Sequence, residues 1–142
     1  MSKRKFLPNF KDLNDRLCIH QLKEVFIPEH KEKYAKEMLD IQHDLDLLIK
    51  EDNVKLSGEM IRAIIVVAQM NTHIWYNESR ARKGESQDLN LLRLTHGLNG
   101  LRNEAGNVLM KLMGQIEGQD HKTDCLAAEF KDWEVSLLKK KK

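Results

Sequence analysis

Residues 91–112 read LLRLTHGLNGLRNEAGNVLMKL, and this stretch decides the fold class. Its apolar residues recur at alternating spacings of three and four, which is the pattern of one face of an α-helix. Asp88 is a suitable N-cap before the row, and Gly114 follows its end. The pattern predicts one long amphipathic helix from about Asp88 to Met113, with its apolar row at Leu91, Leu94, Leu98, Leu101, Ala105, Val108 and Leu112.

The preceding stretch predicts a second long helix, from about Ser57 to Lys83. Ser57 is a suitable N-cap, and Gly84 lies just past the end. Each of the two helices would be roughly 40 Å long. Their connection is so short that they should be antiparallel neighbours. The stripe of the earlier helix reads Met60, Ile61, Ile64, Ala68, Asn71, Trp75, Glu78 and Arg82.

Three further helices complete the prediction. One runs from about Asp12, as N-cap, to Ile27, and is apolar on so much of its circumference that burial on more than one side is expected. Another runs from about Glu29 to Asp52, ended by Asn53, and the last from about Thr123 to Leu138. The stripes of the last two are Tyr34, Met38, Ile41, Leu45 and Leu48, and then Leu126, Phe130, Trp133 and Leu137.

These elements predict an all-α, up-and-down bundle of about five helices, three long and two short. The 142 residues correspond to one domain, 1–142, in which 1–9 and 139–142 are expected to be frayed basic ends. A second subunit could complete the bundle, so a homodimer is one expectation. Apolar residues make up 41% and charged residues 32%, a globular mixture, and the longest apolar run, Ala63 to Ala68, is far too short to span a membrane.

The charge is distributed unevenly along the chain. The net charge is +2, but Lys139–Lys142 supply four positive charges and Lys3–Lys5 supply three, which leaves −5 for residues 6–138. A nucleic-acid-binding protein normally carries its basic patch on the folded body, so no specific nucleic acid is expected as a partner. Cys18 and Cys125 are expected to be reduced core residues, and Met1–Phe10 lacks the apolar region of a signal peptide. These features predict a cytoplasmic protein.

Polar residues interrupt the stripe in the second half of the helix that begins at Ser57. At 100° per residue, four of them fall within about 60° of one another, on the face that carries Met60 and Ile64. A carboxylate on a buried face needs a partner, because leaving it unpaired costs several kcal/mol. Arg82, four residues beyond Glu78, can supply one. The four residues are Asn71, Trp75, Glu78 and Arg82.

Folding the two long helices together brings polar residues of the later helix opposite this row. Asn71 should face the stretch from Asn99 to Arg102. We therefore predict a polar ligand-binding site, with Glu78 as acid, base or anchor and Arg82 or Arg102 as an anion clamp. The alternative is that Asn71 facing Asn99 only fixes helix register, as a buried Asn does in coiled coils, while Glu78 and Arg82 reach water near the end of their helix. The predicted site comprises Asn71, Trp75, Glu78, Arg82, Asn99, Arg102 and Asn103.

Metal-binding and catalytic motifs are weak or absent from the sequence. No H-E-x-x-H, G-x-G-x-x-G, Walker or G-x-S-x-G motif occurs. Two groups have helical spacing: Asp40, His43 and Asp44, and the pair His20 and Glu24. No resident metal is expected, because Asp40, His43 and His20 point away from the apolar faces of their helices. Glu37, Asp44 and Glu78 could hold Mg²⁺ only if the protein were a hydrolase.

The polar positions also carry a resemblance to a known family. The pattern Asn71-x-x-x-Trp75-x-x-Glu78-x-x-Ala81-Arg82, followed by Leu98-Asn99-x-x-Arg102-Asn103, resembles an uncharacterised bacterial family of small all-helical proteins. Its members are often encoded beside glycosyltransferases of surface-polysaccharide clusters. The resemblance covers about residues 71–107 and implies an all-helical fold with a polar site, without a reaction. The family has His-Glu-Glu after the Trp, whereas Tyr76, Asn77 and Glu78 follow here, so one acid is missing.

Two functions follow as hypotheses. The first is an accessory or binding module, linked to glycan or surface-polysaccharide assembly, that binds a protein partner or a small polar or anionic ligand and needs no cofactor. The second is a Mg²⁺-dependent nucleotide pyrophosphohydrolase of the all-helical type, whose paired E-x-x-E and E-x-x-D motifs are not found cleanly here.

Overall fold

The computed structural model describes residues 7–82, 89–113 and 136–138. All regular structure within these ranges is helical, which confirms the all-α class. The described part contains four α-helices and two 3-10 turns, at Pro28–His30 and Ser136–Leu138. The α-helices are α1 (Phe10–Phe26), α2 (Lys31–Glu51), α3 (Gly58–Arg82) and α4 (Leu89–Leu112).

The described residues therefore show four helices where the sequence predicts about five. The predicted fifth helix, Thr123 to Leu138, lies outside the described residues apart from its last three, which form a 3-10 turn. Residues 1–6 and 139–142 of the predicted basic ends also lie outside the described residues, as do the predicted caps Asp88 and Gly114 and the thiol of Cys125. The five-helix bundle and the single domain stay predictions.

Helix α1 begins two residues earlier than predicted, and Asp12 is not its N-cap. The cap is Asn9, whose side-chain oxygen accepts a hydrogen bond from the backbone N–H of Asp12 at 2.9 Å. The Asp12 carboxylate in turn accepts from the backbone N–H of Asn9 at 3.2 Å. This reciprocal pair is a capping box, with the acid at the third helical position instead of the cap.

The predicted end of α2 and the predicted start of α3 are both confirmed. Asn53 has a φ of 49°, in the left-handed region, and the N–H of Val54 donates to the carbonyl of Ile49 at 3.0 Å. This is the Schellman arrangement, in which Asn is the residue most tolerated after Gly. Ser57 accepts from the N–H of Met60 at 3.2 Å and so caps α3.

The chain divides into two compact units, Met1–Lys55 and Leu56–Lys142. In the first, α1 and α2 form a helical hairpin whose core contains Phe10, Leu13, Met38 and Leu48. The predicted burial of α1 on several sides is wrong at its C-terminal end, where Val25 and Phe26 are exposed. Asn14 is buried on the same helix, and its amide nitrogen has no hydrogen-bond partner among the described residues.

In the second unit, α3 and α4 form the predicted antiparallel hairpin. The middle of the leucine row of α4 is buried as expected, at Leu98, Leu101 and Ala105. Near its C-terminal end the buried residues are Leu109 and Met110, while Leu112 is exposed. None of the helices in the described part of the chain is both long and apolar enough to span a membrane.

Candidate functional site

The centre of the predicted polar site is a hydrogen bond between α3 and α4. Nη1 of Arg102 donates to Oδ1 of Asn71 at 2.9 Å. Only 3% of the surface of Asn71 is exposed, and Arg102 is half-buried. The register predicted by folding the hairpin, with Asn71 opposite Asn99–Arg102, is confirmed by this contact.

The apolar surroundings of this hydrogen bond increase its contribution to the stability of the hairpin. Val67 and Ile74, one turn to either side of Asn71 on α3, are buried, as are Leu101 and Ala105 beside Arg102 on α4. An amide placed in apolar surroundings loses its hydrogen bonds to water, and a charged donor restores one of them. The hydrogen bond to Asn71 orients the planar guanidinium of Arg102. Because the amide acceptor is neutral, it does not neutralise the positive charge.

The other predicted site residues lie at different depths. Trp75, Asn99 and Asn103 are half-buried, whereas Glu78 is exposed. The expectation that Glu78 lies on a buried face is wrong, because this position, near the end of α3, is open to solvent. The side chain of Arg82 lies outside the described residues. The hydrogen bond described above joins two of the predicted site residues, Asn71 and Arg102.

One buried polar residue of α3 is not among the predicted site residues. Asn77 is buried, although it lies about 120° around the helix from Asn71. Asn77 therefore does not belong to the stripe formed by Asn71, Trp75 and Glu78. The signal that could have identified it is its spacing from the buried aliphatic residues, because Asn77 lies three residues beyond Ile74 on the face toward α4.

A second polar contact between helices lies in the first unit. Nε2 of His20 on α1 is 2.6 Å from Oε2 of Glu37 on α2, and Nδ1 of His20 is 3.0 Å from the backbone oxygen of Arg16. Both oxygens accept hydrogen bonds, so the doubly protonated ring satisfies both contacts at once. Tyr34 meets the edge of the same ring at a centroid distance of 6.2 Å. The sequence suggests Glu37 only as a possible magnesium ligand, and its pairing with His20 is seen only in the structure.

The residues considered for metal binding are not gathered into a site. Asp40, His43 and Asp44 are exposed on α2, and the closest pair is Nδ1 of His43 and Oδ1 of Asp44 at 3.3 Å. Within the described ranges, no group of three or more His, Cys, Asp or Glu side chains could hold a metal ion. The first unit also has a shallow cleft of about 220 Å³, lined by Leu7, Pro8, Leu13, Asp44 and Leu47.

Comparison with known proteins does not assign this chain to a family. The chain matches no family model, no curated protein sequence and no solved structure. The resemblance of residues 71–107 to the polysaccharide-associated family therefore stays a prediction.

Proposed function

We propose that the protein is a binding module that holds a small anionic ligand at the α3–α4 hairpin. The observation that carries this proposal is the Arg102–Asn71 hydrogen bond of 2.9 Å, which orients a half-buried guanidinium between two helices. An oriented guanidinium presents several N–H donors in one plane, which suits the oxygen atoms of a phosphate or carboxylate group. The proposed additional contacts are Trp75, Asn99 and Asn103, which are half-buried and lie close to Asn71 or Arg102 in the sequence.

The chemical class of the ligand follows from these side chains. The guanidinium selects negative charge, amides such as Asn99 and Asn103 can hydrogen-bond hydroxyl groups, and an indole can pack against a sugar ring. A nucleotide sugar combines all three features. The resemblance of residues 71–107 to a family encoded beside glycosyltransferases supports the same ligand class, and with it a role in glycan or surface-polysaccharide assembly.

The first experiment is a thermal-shift panel on the full chain. The probes are UDP-glucose, ATP and inorganic pyrophosphate, each with and without Mg²⁺. A ligand at 100 times its Kd stabilises the folded state by about 2.7 kcal/mol, which raises Tm by several degrees for a protein of this size. We expect UDP-glucose to raise Tm without Mg²⁺.

Two arginine variants distinguish the proposed site from non-specific anion binding. Arg102→Gln should abolish the ligand-induced shift, measured against the variant's own Tm without ligand. Arg93→Gln is the matched control, because Arg93 is an exposed arginine on the same helix, and its shift should equal that of the wild type. Equal shifts in both variants, or no shift with any probe, would contradict the proposal.

The hydrolase alternative is tested in the same panel. It requires a Mg²⁺-dependent shift with ATP, followed by release of pyrophosphate into solution. Glu37, one of its three proposed ligands, already contacts His20 at 2.6 Å and Nζ of Lys33 at 4.0 Å. The binding module is therefore the function that the geometry favours.

A further inference from the structure

The two rows of side chains that meet at the Asn71–Arg102 hydrogen bond change character along the hairpin. Toward the start of α3, the residues one and two turns away in these rows are apolar or glycine: Ile64, Val67, Gly106 and Leu109. Toward the end of α3, the corresponding residues are polar or aromatic: Trp75, Glu78, Thr95 and Asn99. A ligand held by Arg102 therefore finds side chains that can bind it in the direction of the end of α3.

The position of Trp75 sets the distance from the anionic group to the next contact. Trp75 lies four residues beyond Asn71, about 6 Å along the helix axis and within about 40° of it around the helix. Because the two helices are antiparallel and level at the hydrogen bond, Trp75 is level with residues 98–99 of α4. The half-buried indole and the half-buried amide of Asn99 therefore follow the guanidinium by about one turn.

The side chains at and beyond this level suit a hydroxylated ring. An indole packs against the C–H face of a sugar, and an amide such as that of Asn99 both donates to and accepts from hydroxyl groups. Glu78, the next residue in the row after Trp75, is exposed, and a carboxylate has about four lone-pair positions, so it can accept from hydroxyls besides its contacts within the chain. A hexose carries hydroxyl donors around its whole ring, whereas uracil has a single N–H donor on its edge. The arrangement therefore favours a sugar ring over a pyrimidine base at this position.

We propose that the site recognises a hexosyl phosphate, with the phosphate at Arg102 and the sugar ring against Trp75. This inference rests on the proposed function, and it adds the direction in which the ligand lies and the part of the ligand that is recognised. In a nucleotide sugar, the phosphate attached to the hexose binds the guanidinium, and the nucleoside adds little to the affinity. A free hexosyl phosphate should therefore bind nearly as tightly as the complete nucleotide sugar.

Isothermal titration calorimetry on the full chain compares glucose 1-phosphate with UMP and inorganic phosphate, with UDP-glucose as the reference. UMP replaces the hexose by a nucleoside, and inorganic phosphate retains only the anion. We expect the Kd of glucose 1-phosphate to lie within about threefold of that of UDP-glucose. It should bind at least about tenfold more tightly than UMP or phosphate, because the hexose adds contacts at Trp75 and Asn99.

The fluorescence of Trp75 reports contact with the sugar ring directly. The chain has two tryptophans, and Trp133→Phe removes the other one. In this variant, saturating glucose 1-phosphate should change the intensity or the wavelength maximum of the Trp75 emission, whereas saturating inorganic phosphate should leave both unchanged. This measurement leaves the side chains of the site as they are.

Two aromatic variants of α3 locate the ring. Trp75→Leu should weaken binding of glucose 1-phosphate at least about tenfold and change binding of phosphate less than about twofold, since the indole contacts only the ring. Tyr76→Leu is the matched control, because Tyr76 is the adjacent aromatic residue, is 63% exposed and lies about 100° further around the helix. Its affinity for both probes should equal that of the wild type. Circular dichroism at 222 nm checks that each variant keeps the helix content of the wild type.

The outcomes separate this inference from the proposed function. The inference is overturned if UMP binds as tightly as glucose 1-phosphate, if Trp75→Leu weakens both phosphate and glucose 1-phosphate equally, or if glucose 1-phosphate leaves the Trp75 emission unchanged. The proposed function survives each of these results as long as UDP-glucose raises Tm and Arg102→Gln abolishes that shift. If none of the probes binds, the proposed function fails and this inference fails with it.

Discussion

Asn71 shows what a single amide can do between two helices. It is almost completely buried on α3 and accepts a hydrogen bond from Arg102 on α4. A leucine would need no hydrogen bond in these apolar surroundings, so the hydrogen bond to the charged partner offsets part of the cost of burying the amide. This dependence gives the pair a measurable signature, whether it binds a ligand or only fixes the register of the hairpin.

At the residue scale we predict that Asn71→Leu destabilises the fold by about 1–3 kcal/mol, because the half-buried guanidinium loses an acceptor. The double variant with Arg102→Met should be less destabilised than the sum of the two single variants. Urea unfolding gives the free energies. Gln69→Leu also replaces an amide side chain by leucine, but at an exposed position of α3. Its free energy of unfolding should stay within about 0.5 kcal/mol of the wild-type value. A stabilising effect of Asn71→Leu would contradict the prediction.

Contacts between residues are easier to predict from this sequence than the burial of individual side chains. The short connection sets the hairpin register, so the contact of Asn71 with the Asn99–Arg102 stretch was predictable by counting. The depth of Glu78 was left open between a buried face and a solvent-exposed helix end, because a helical wheel does not show where along the helix burial stops, and Glu78 is exposed. The His20–Glu37 contact was missed because the connection between α1 and α2 includes a 3-10 turn, which the periodicity does not reveal.

At the element scale, periodicity predicts the helices and short-range chemistry determines their ends. Asn53 and Ser57 were predictable because each matches the residue type that its backbone position prefers. Asp12 was misassigned because Asp suits both the cap and the third helical position of a capping box. The choice between those positions depends on Asn9, three residues earlier.

The left-handed residue after α2 provides a test of this local control. Asn53→Ala should lower the free energy of unfolding by roughly 1 kcal/mol, because a Cβ without a polar side chain is disfavoured at a φ of 49°. Asn53→Gly should be neutral or stabilising. Urea unfolding measures both, with Lys55→Ala at an exposed position as the control. An alanine variant as stable as the glycine variant would show that this residue does not determine the end of α2.

The α1–α2 hairpin offers a second test at the same scale. A double-mutant cycle of His20→Ala and Glu37→Ala should give a coupling energy of about 1 kcal/mol, since the contact is short but partly open to water. The matched control is the cycle of His43→Ala and Asp44→Ala. Those side chains are 3.3 Å apart but neighbours in sequence and more exposed, so their coupling should be close to zero. Equal coupling in both cycles would contradict a specific link between α1 and α2.

At the scale of the whole molecule, the uneven charge distribution predicts how the protein meets polyanions. The net charge of +2 combines seven positive charges near the ends with −5 over residues 6–138. Binding to a polyanion should therefore depend on the terminal lysines, and because they make few contacts the binding should be weak and should be lost at moderate salt. An extended basic patch on the folded units would instead make binding depend on the lysines of the helices.

Heparin chromatography distinguishes these two cases. Replacing Lys139, Lys140, Lys141 and Lys142 by Gln should move elution to clearly lower salt. Replacing four exposed lysines of the first unit, Lys31, Lys36, Lys50 and Lys55, makes the same change in net charge and should move elution much less. If both sets shift elution equally, net charge alone governs binding. A larger shift from the second set would place a basic surface on the folded body, and nucleic acid would then become a reasonable partner to test.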